Sequence, residues 1–71
     1  MSFRTGTRVR WNWGEGTGTG QVVSKYTAPV TLQLDGAQVT RDATDGNPAY
    51  RIEQCDGDQV LKSESELSRA S

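Results

Sequence analysis

The chain has 71 residues, 8 basic and 9 acidic, with no histidine, one cysteine and a formal net charge of −1. That length allows one domain with a small core, and the balanced charge declares no general affinity for polyanions. The missing histidine removes the usual general base near neutral pH, and the lone Cys55 excludes an internal disulfide.

No window approaches the roughly 18 apolar residues of a membrane span, and the start MSFRTGTRV has no apolar h-region. With a single thiol, the expected location is the cytoplasm.

Met1 to Gly6 reads as a loose start in which only Phe3 docks. From Thr7 to Trp13 the residues alternate, with Val9, Trp11 and Trp13 on one face and Arg8, Arg10 and Asn12 on the other. This predicts a half-buried strand. The run from Gly14 to Gly20, GEGTGTG, is expected to be a mobile loop leading into a second strand, Gln21 to Tyr26. Thr27-Ala28-Pro29 ends that strand, because proline lacks the ladder donor.

Val30 to Leu34 and Ala37 to Arg41 flank Asp35-Gly36, a two-residue hairpin signal. Such a turn pairs Leu32 with Val39 and Thr31 with Thr40, both favourable cross-strand pairs. Asp42 to Asn47 is polar, and Pro48 must start or precede the next strand.

The stretch from Asn47 to Leu67 organises the rest. NPAYRIEQ and QVLK read as strands folded back at Asp56-Gly57. A two-residue turn there sets Ile52 opposite Leu61, Tyr50 opposite Ser63, Glu53 opposite Val60 and Arg51 opposite Lys62. Ser63-Glu64-Ser65-Glu66 then matches a capping box, with Ser63 as N-cap and Leu67 anchoring one short helical turn. Ser68 to Ser71 is expected to fray. Short strands separated by glycine turns, with no long 3.6-period segment, imply a small barrel or sandwich.

The strings WNWG, PVT, VTRDAT, NPAYRIEQ, DGD and VLKSESEL, in that order, span roughly Gly6 to Leu67. They resemble the Tudor domain of hypervirulence-associated proteins, a bacterial and fungal family. The resemblance implies an all-β, SH3-like (Tudor-like) barrel, in agreement with the five or six short antiparallel strands read above. One domain over residues 1–71 is expected, with its ordered core at about 6–67. The resemblance implies no catalytic residues, and recognition of methyl-lysine would follow only from fold analogy.

Four aromatic residues, Trp11, Trp13, Tyr26 and Tyr50, are the candidates for a site that holds a cation by cation–π attraction. Against this, Trp11 sits mid-strand and reads as core, and Tyr50 reads as core with its hydroxyl reaching solvent. Trp13 abuts the glycines and reads as partly exposed. Arg8, Arg10 and Lys25 are the candidates for a phosphate-binding stripe, although a solvated outer face explains them as well.

The glycine run resembles a nucleotide loop but lacks both a following helix and a Gly-Lys-Ser/Thr. Turn chemistry accounts for Asp56-Gly57-Asp58, Asp42 and Asp45, which lack the ligand count of a calcium loop. Asp56 disfavours a thiolate at Cys55.

The sequence thus predicts a non-catalytic binding module without cofactor or metal, taking a protein or peptide at the Trp13 end. The alternatives are a nucleic-acid binder using Arg8, Arg10 and Lys25, or a structural domain that exchanges strands between two copies through the glycine run.

Overall fold

The longest strand is the spine of the architecture. The computed structural model describes residues 3–70, in which β2 (Gly16–Tyr26) occupies the middle of a five-stranded antiparallel sheet ordered β6-β5-β2-β1-β7. Its partners are β1 (Arg8–Trp13), β5 (Ala49–Glu53), β6 (Gln59–Ser63) and β7 (Ser68–Arg69). The hairpin β3 (Val30–Leu34) and β4 (Ala37–Arg41) forms a separate two-stranded sheet inserted between β2 and β5.

The connection from β6 to β7 makes this sheet a barrel. β6 and β7 are opposite edges, yet only Glu64 to Leu67 lie between them, and Glu64–Glu66 is a 3-10 turn. Five flat strands would hold the edges about 19 Å apart. A 3-10 turn rises only about 2 Å per residue, so the sheet must curl to bring its edges together.

β7 raises the strand number to seven among the described residues and replaces the frayed end expected for Ser68 onward. Val9 pairs with Arg69 and Arg10 with Ser68, while the Ala70 N–H donates to the Arg8 carbonyl at 3.0 Å. Two residues of strand leave no periodic signal. Residues 1, 2 and 71 lie outside the described part, including the start of the expected loose arm. Further along that arm, Gly6 N–H donates to Val22 O at 2.7 Å and Phe3 stacks edge-on against Tyr50, so the arm is tied down.

The glycine run is strand, not loop. Only Gly14-Glu15 turns the chain, and Trp13 pairs directly with Gly16, Trp11 with Gly18 and Val9 with Gly20. The alternation of glycine and threonine is a period-two strand pattern whose inward face needs no side chains. A Cβ on Gly18 would stand 2.5 Å from Cε2 of the Trp11 indole, and one on Gly20 would stand 2.6 Å from Cγ2 of Ile52. Gly16, Gly18 and Gly20 are notches for neighbouring side chains, which leaves only Gly14-Glu15 as a turn within the run expected to be a flexible hinge.

The two Asp-Gly hairpins differ. At Asp35-Gly36 both residues have positive φ, 51° and 77°, and Leu34 pairs with Ala37 as a two-residue turn requires. Leu32 faces Val39, and the Thr31 and Thr40 hydroxyls lie 2.9 Å apart, as expected.

At Asp56-Gly57 only the glycine is positive, at 93°. Gly57 N–H donates to Gln54 O at 2.9 Å, and Gln54 N–H to Asp58 O at 2.8 Å. This is a three-residue loop closed by a glycine bulge. The Asp56 carboxylate accepts the Asp58 N–H at 3.0 Å.

That extra residue overturns the expected register. Ile52 pairs with Val60, Arg51 with Leu61, Tyr50 with Lys62 and Glu53 with Gln59. A slip of one residue exchanges faces, and here it divides the core in two. Ile52 packs with Val9, Trp11, Val22, Tyr50 and Leu67 inside the barrel. Leu61 instead packs with Leu34, Ala43 and Ala49 beneath the β3–β4 hairpin. Arg51, expected across from Lys62, faces Leu61, and its Nε donates to Oε1 of Gln59.

Candidate functional site

The β1–β2 hairpin carries Trp11 and Trp13 to different fates. Trp11 is 5% exposed within the barrel core, whereas Trp13 is 60% exposed. The six-membered ring of Trp13 rests on Gly16, where an added Cβ would lie 3.2 Å from Cζ2. A cleft of about 280 Å³ beside it is lined by Trp13, Thr17, Thr19, Gln54, Cys55 and Asp56 among others. The β5–β6 turn therefore supplies part of the lining of the cleft that holds the aromatic ring.

This end of the molecule is acidic. The Asp58 carboxyl titrates above its ordinary value because of the negative charge of Asp56 first and of Asp35, at the tip of the β3–β4 hairpin, second. Burial adds a smaller contribution in the same direction. An exposed indole with the Asp56 carboxylate in the same cleft suits a cation.

The other two aromatic candidates are elsewhere. Tyr50 is fully buried, and its hydroxyl accepts the Phe3 N–H at 3.1 Å and donates to Glu64 Oε1 at 3.0 Å. It does not reach solvent as expected, because the N-terminal arm and the 3-10 turn close over it. Tyr26 packs at the edge of the second core, with Val30, Leu32 and Val39. Trp11, Trp13, Tyr26 and Tyr50 thus do not converge, and the site has one ring.

The basic stripe also loses a member. Arg8 pairs with Gln21, which pairs with Glu53, so all three share the outer face with Arg10. Between Val22 and Ser24 the β2–β5 register shifts at a bulge, leaving Val23 at 37% exposure. Beyond it Lys25 pairs with Tyr50, a residue of the inner face, and is carried away from Arg8 and Arg10.

Sequence reasoning missed three contributors. Asp56 reads as a turn residue and Gln54 as a strand end, and only folding brings them to the Trp13 cleft. The third contributor is Glu66, whose Oε2 accepts the Ser63 N–H at 2.6 Å and the Arg41 Nε–H at 3.0 Å. Burial opposes its charge, but the hydrogen bonds from Arg41 and Ser63 and the charges of Arg41 and Lys62 outweigh burial and hold its pKa below the ordinary 4.5. Glu66 thereby fastens the 3-10 turn to β4 and lines a further cleft with Arg10, Trp11 and Asn12.

The barrel order, the 3-10 turn before the last strand and the exposed ring at the β1–β2 hairpin now meet a sequence match. The family model described as the hypervirulence-associated-proteins Tudor domain matches residues 6–67. The chain belongs to this family. Comparison with curated proteins and with solved structures returned no match. The Tudor domain described here is a small binding-module fold. Among the described residues no helix is long and apolar enough to cross a membrane.

Proposed function

We propose that this Tudor domain is a non-catalytic module that binds a protein or peptide through a basic side chain at Trp13. The observation that carries this reading is that the exposed indole and Asp56 line one cleft. A lysine or arginine there gains cation–π attraction to the ring, and the Asp56 carboxylate in the same cleft favours the same charge. A single ring supplies no enclosing cage, so the geometry favours an ordinary cation over one selected for methylation. Arg8 and Arg10, without Lys25 and with Glu53 on their face, make a weak phosphate surface.

Amide shift mapping with blocked lysine-containing peptides tests the reading. The signals of Trp13, Gln54 and Asp56 should move together, and Trp13→Ala should abolish the shifts. Shifts confined to Arg8 and Arg10, with affinity for an oligonucleotide falling steeply in salt, would replace this reading with nucleic-acid binding.

A further inference from the structure

The edge of β1 opposite β2 is only partly covered. β7 pairs with Val9 and Arg10 and stops there, because Leu67 turns inward at the end of the 3-10 turn and joins the core. The Arg8 carbonyl points toward β7, accepting the Ala70 N–H at 3.0 Å. In an antiparallel ladder every second residue bonds to the same side, so Arg10 and Asn12 also direct their backbone groups outward from β2. Arg10 meets Ser68, whereas no strand among the described residues lies opposite Asn12.

Space exists at that position. A cleft of about 320 Å³ is lined by Arg10, Trp11, Asn12, Thr17, Glu66 and Ser68. This lies near the lower end of small-ligand sites, roughly 300–1,000 Å³. Its charges are unequal in availability. Glu66 is engaged by Arg41 through two contacts, at 3.0 and 3.3 Å, whereas Arg10 has no carboxylate partner among the described residues.

We propose that the peptide held at Trp13 runs along this edge as an added β-strand, continuing the line of β7 antiparallel to β1. The inference rests on the peptide reading above. The ligand residue opposite Asn12 exchanges both backbone hydrogen bonds with it and shares the outer face, where Arg10 reaches its side chain diagonally. That residue is acidic. The preceding ligand residue lies opposite Trp13, shares the face of the indole and is basic. An antiparallel strand fixes this order, so the recognised chemistry is an extended peptide with a basic residue immediately followed by an acidic one.

The test uses blocked tetrapeptides Thr-Lys-Glu-Val and Thr-Glu-Lys-Val, with affinities from amide shift titration. The first should bind more tightly, and Arg10→Glu should remove the difference. N-methylation at the glutamate of the first peptide should weaken binding about tenfold, as expected for losing modest backbone hydrogen bonds. N-methylation at its lysine, whose N–H points to solvent, should leave binding unchanged.

Equal affinity for both orders, or equal effects of the two methyl groups, overturns strand addition. Were Trp13→Ala still to abolish binding in that case, the peptide reading would survive. Absence of binding by either peptide removes both. Concentration-dependent dimerisation that protects the Asn12 amide would instead assign the edge to a second copy of the chain and overturn the proposal.

Discussion

Gly18→Ala distinguishes a glycine notch from a flexible glycine. The new Cβ would stand 2.5 Å from Cε2, 2.6 Å from Cζ2 and 2.7 Å from Nε1 of Trp11. Carbon atoms in contact prefer about 3.5–4.0 Å, so the indole or the strand must move by about 1 Å. Trp11 is 5% exposed and packed in the core with Val9 and Val22, which leaves it little room.

Overpacking of this kind costs about 1–3 kcal/mol. Alanine recovers about 0.5–1 kcal/mol of the backbone cost that glycine carries in a strand. The net loss is then about 0.5–2 kcal/mol, or a fall in melting temperature on the order of 2–15 °C for a domain this small. Gly46→Ala is the control, since no atom lies within 4 Å of its added Cβ. Urea and thermal unfolding of both variants decide the matter. If Gly18→Ala melts at or above the parent temperature, as substitution in a mobile loop would give, the notch argument is refuted. Trp11→Phe in the Gly18→Ala background should cost less than it does alone, because the two sites couple through one contact.

Trp11→Ala should cost about 3–5 kcal/mol as a core truncation, and Trp13→Ala about 1 kcal/mol or less as a weakly buried site. Equal thermal shifts would make Trp13 part of the core. The depressed Glu66 pKa contributes stability that is present above its unfolded value and is lost as pH falls through the folded value. Acid titration of stability should therefore be shallower in Glu66→Gln, with a small amplitude because both partners are partly exposed, at 27% and 37%. An unchanged acid limb would show that the pair does not contribute. Cys55→Ser should leave the melting temperature unchanged, since the thiol is exposed. A shift of more than a few degrees would contradict that placement.

Local patterning made the strands legible, but the connections were harder to read. Alternation around Val9 and Trp11 and the Leu32–Val39 pairing emerged from two-residue periodicity and a turn that only one geometry satisfies. Asp56-Gly57 satisfied two geometries, and the choice depended on how Gln54 and Asp58 bond across the loop. That choice moved Leu61 to the other face and created the second core. The GEGTGTG run reads as a loop because glycine signals both freedom and close approach. What separates the two is Trp11 on the neighbouring strand, a partner that local propensity does not see. Trp13 was legible as exposed from its place at a strand end, whereas Asp56 entered its cleft only through the fold.

The candidate site occupies the part of β1 and β2 that overhangs the barrel. β7 covers β1 only at Val9 and Arg10, and β5 pairs with β2 only from Gln21 onward. Beyond those points the hairpin is a two-stranded ribbon with little sheet on either side, and Trp11 packs closely onto Gly18 within it. Both tryptophans lie over β2 glycines, Trp11 over Gly18 and Trp13 over Gly16, so glycine alone does not explain their different exposure. Trp11 is covered because it packs in the barrel core with Val9, Val22, Tyr50 and Ile52. Trp13, two pairs further out, lies beyond that core and is exposed. The overhang separates two demands that a small core otherwise sets against each other. Trp11 secures the hairpin, and Trp13, Asn12 and Arg10 remain open to a ligand that supplies the missing neighbour strand.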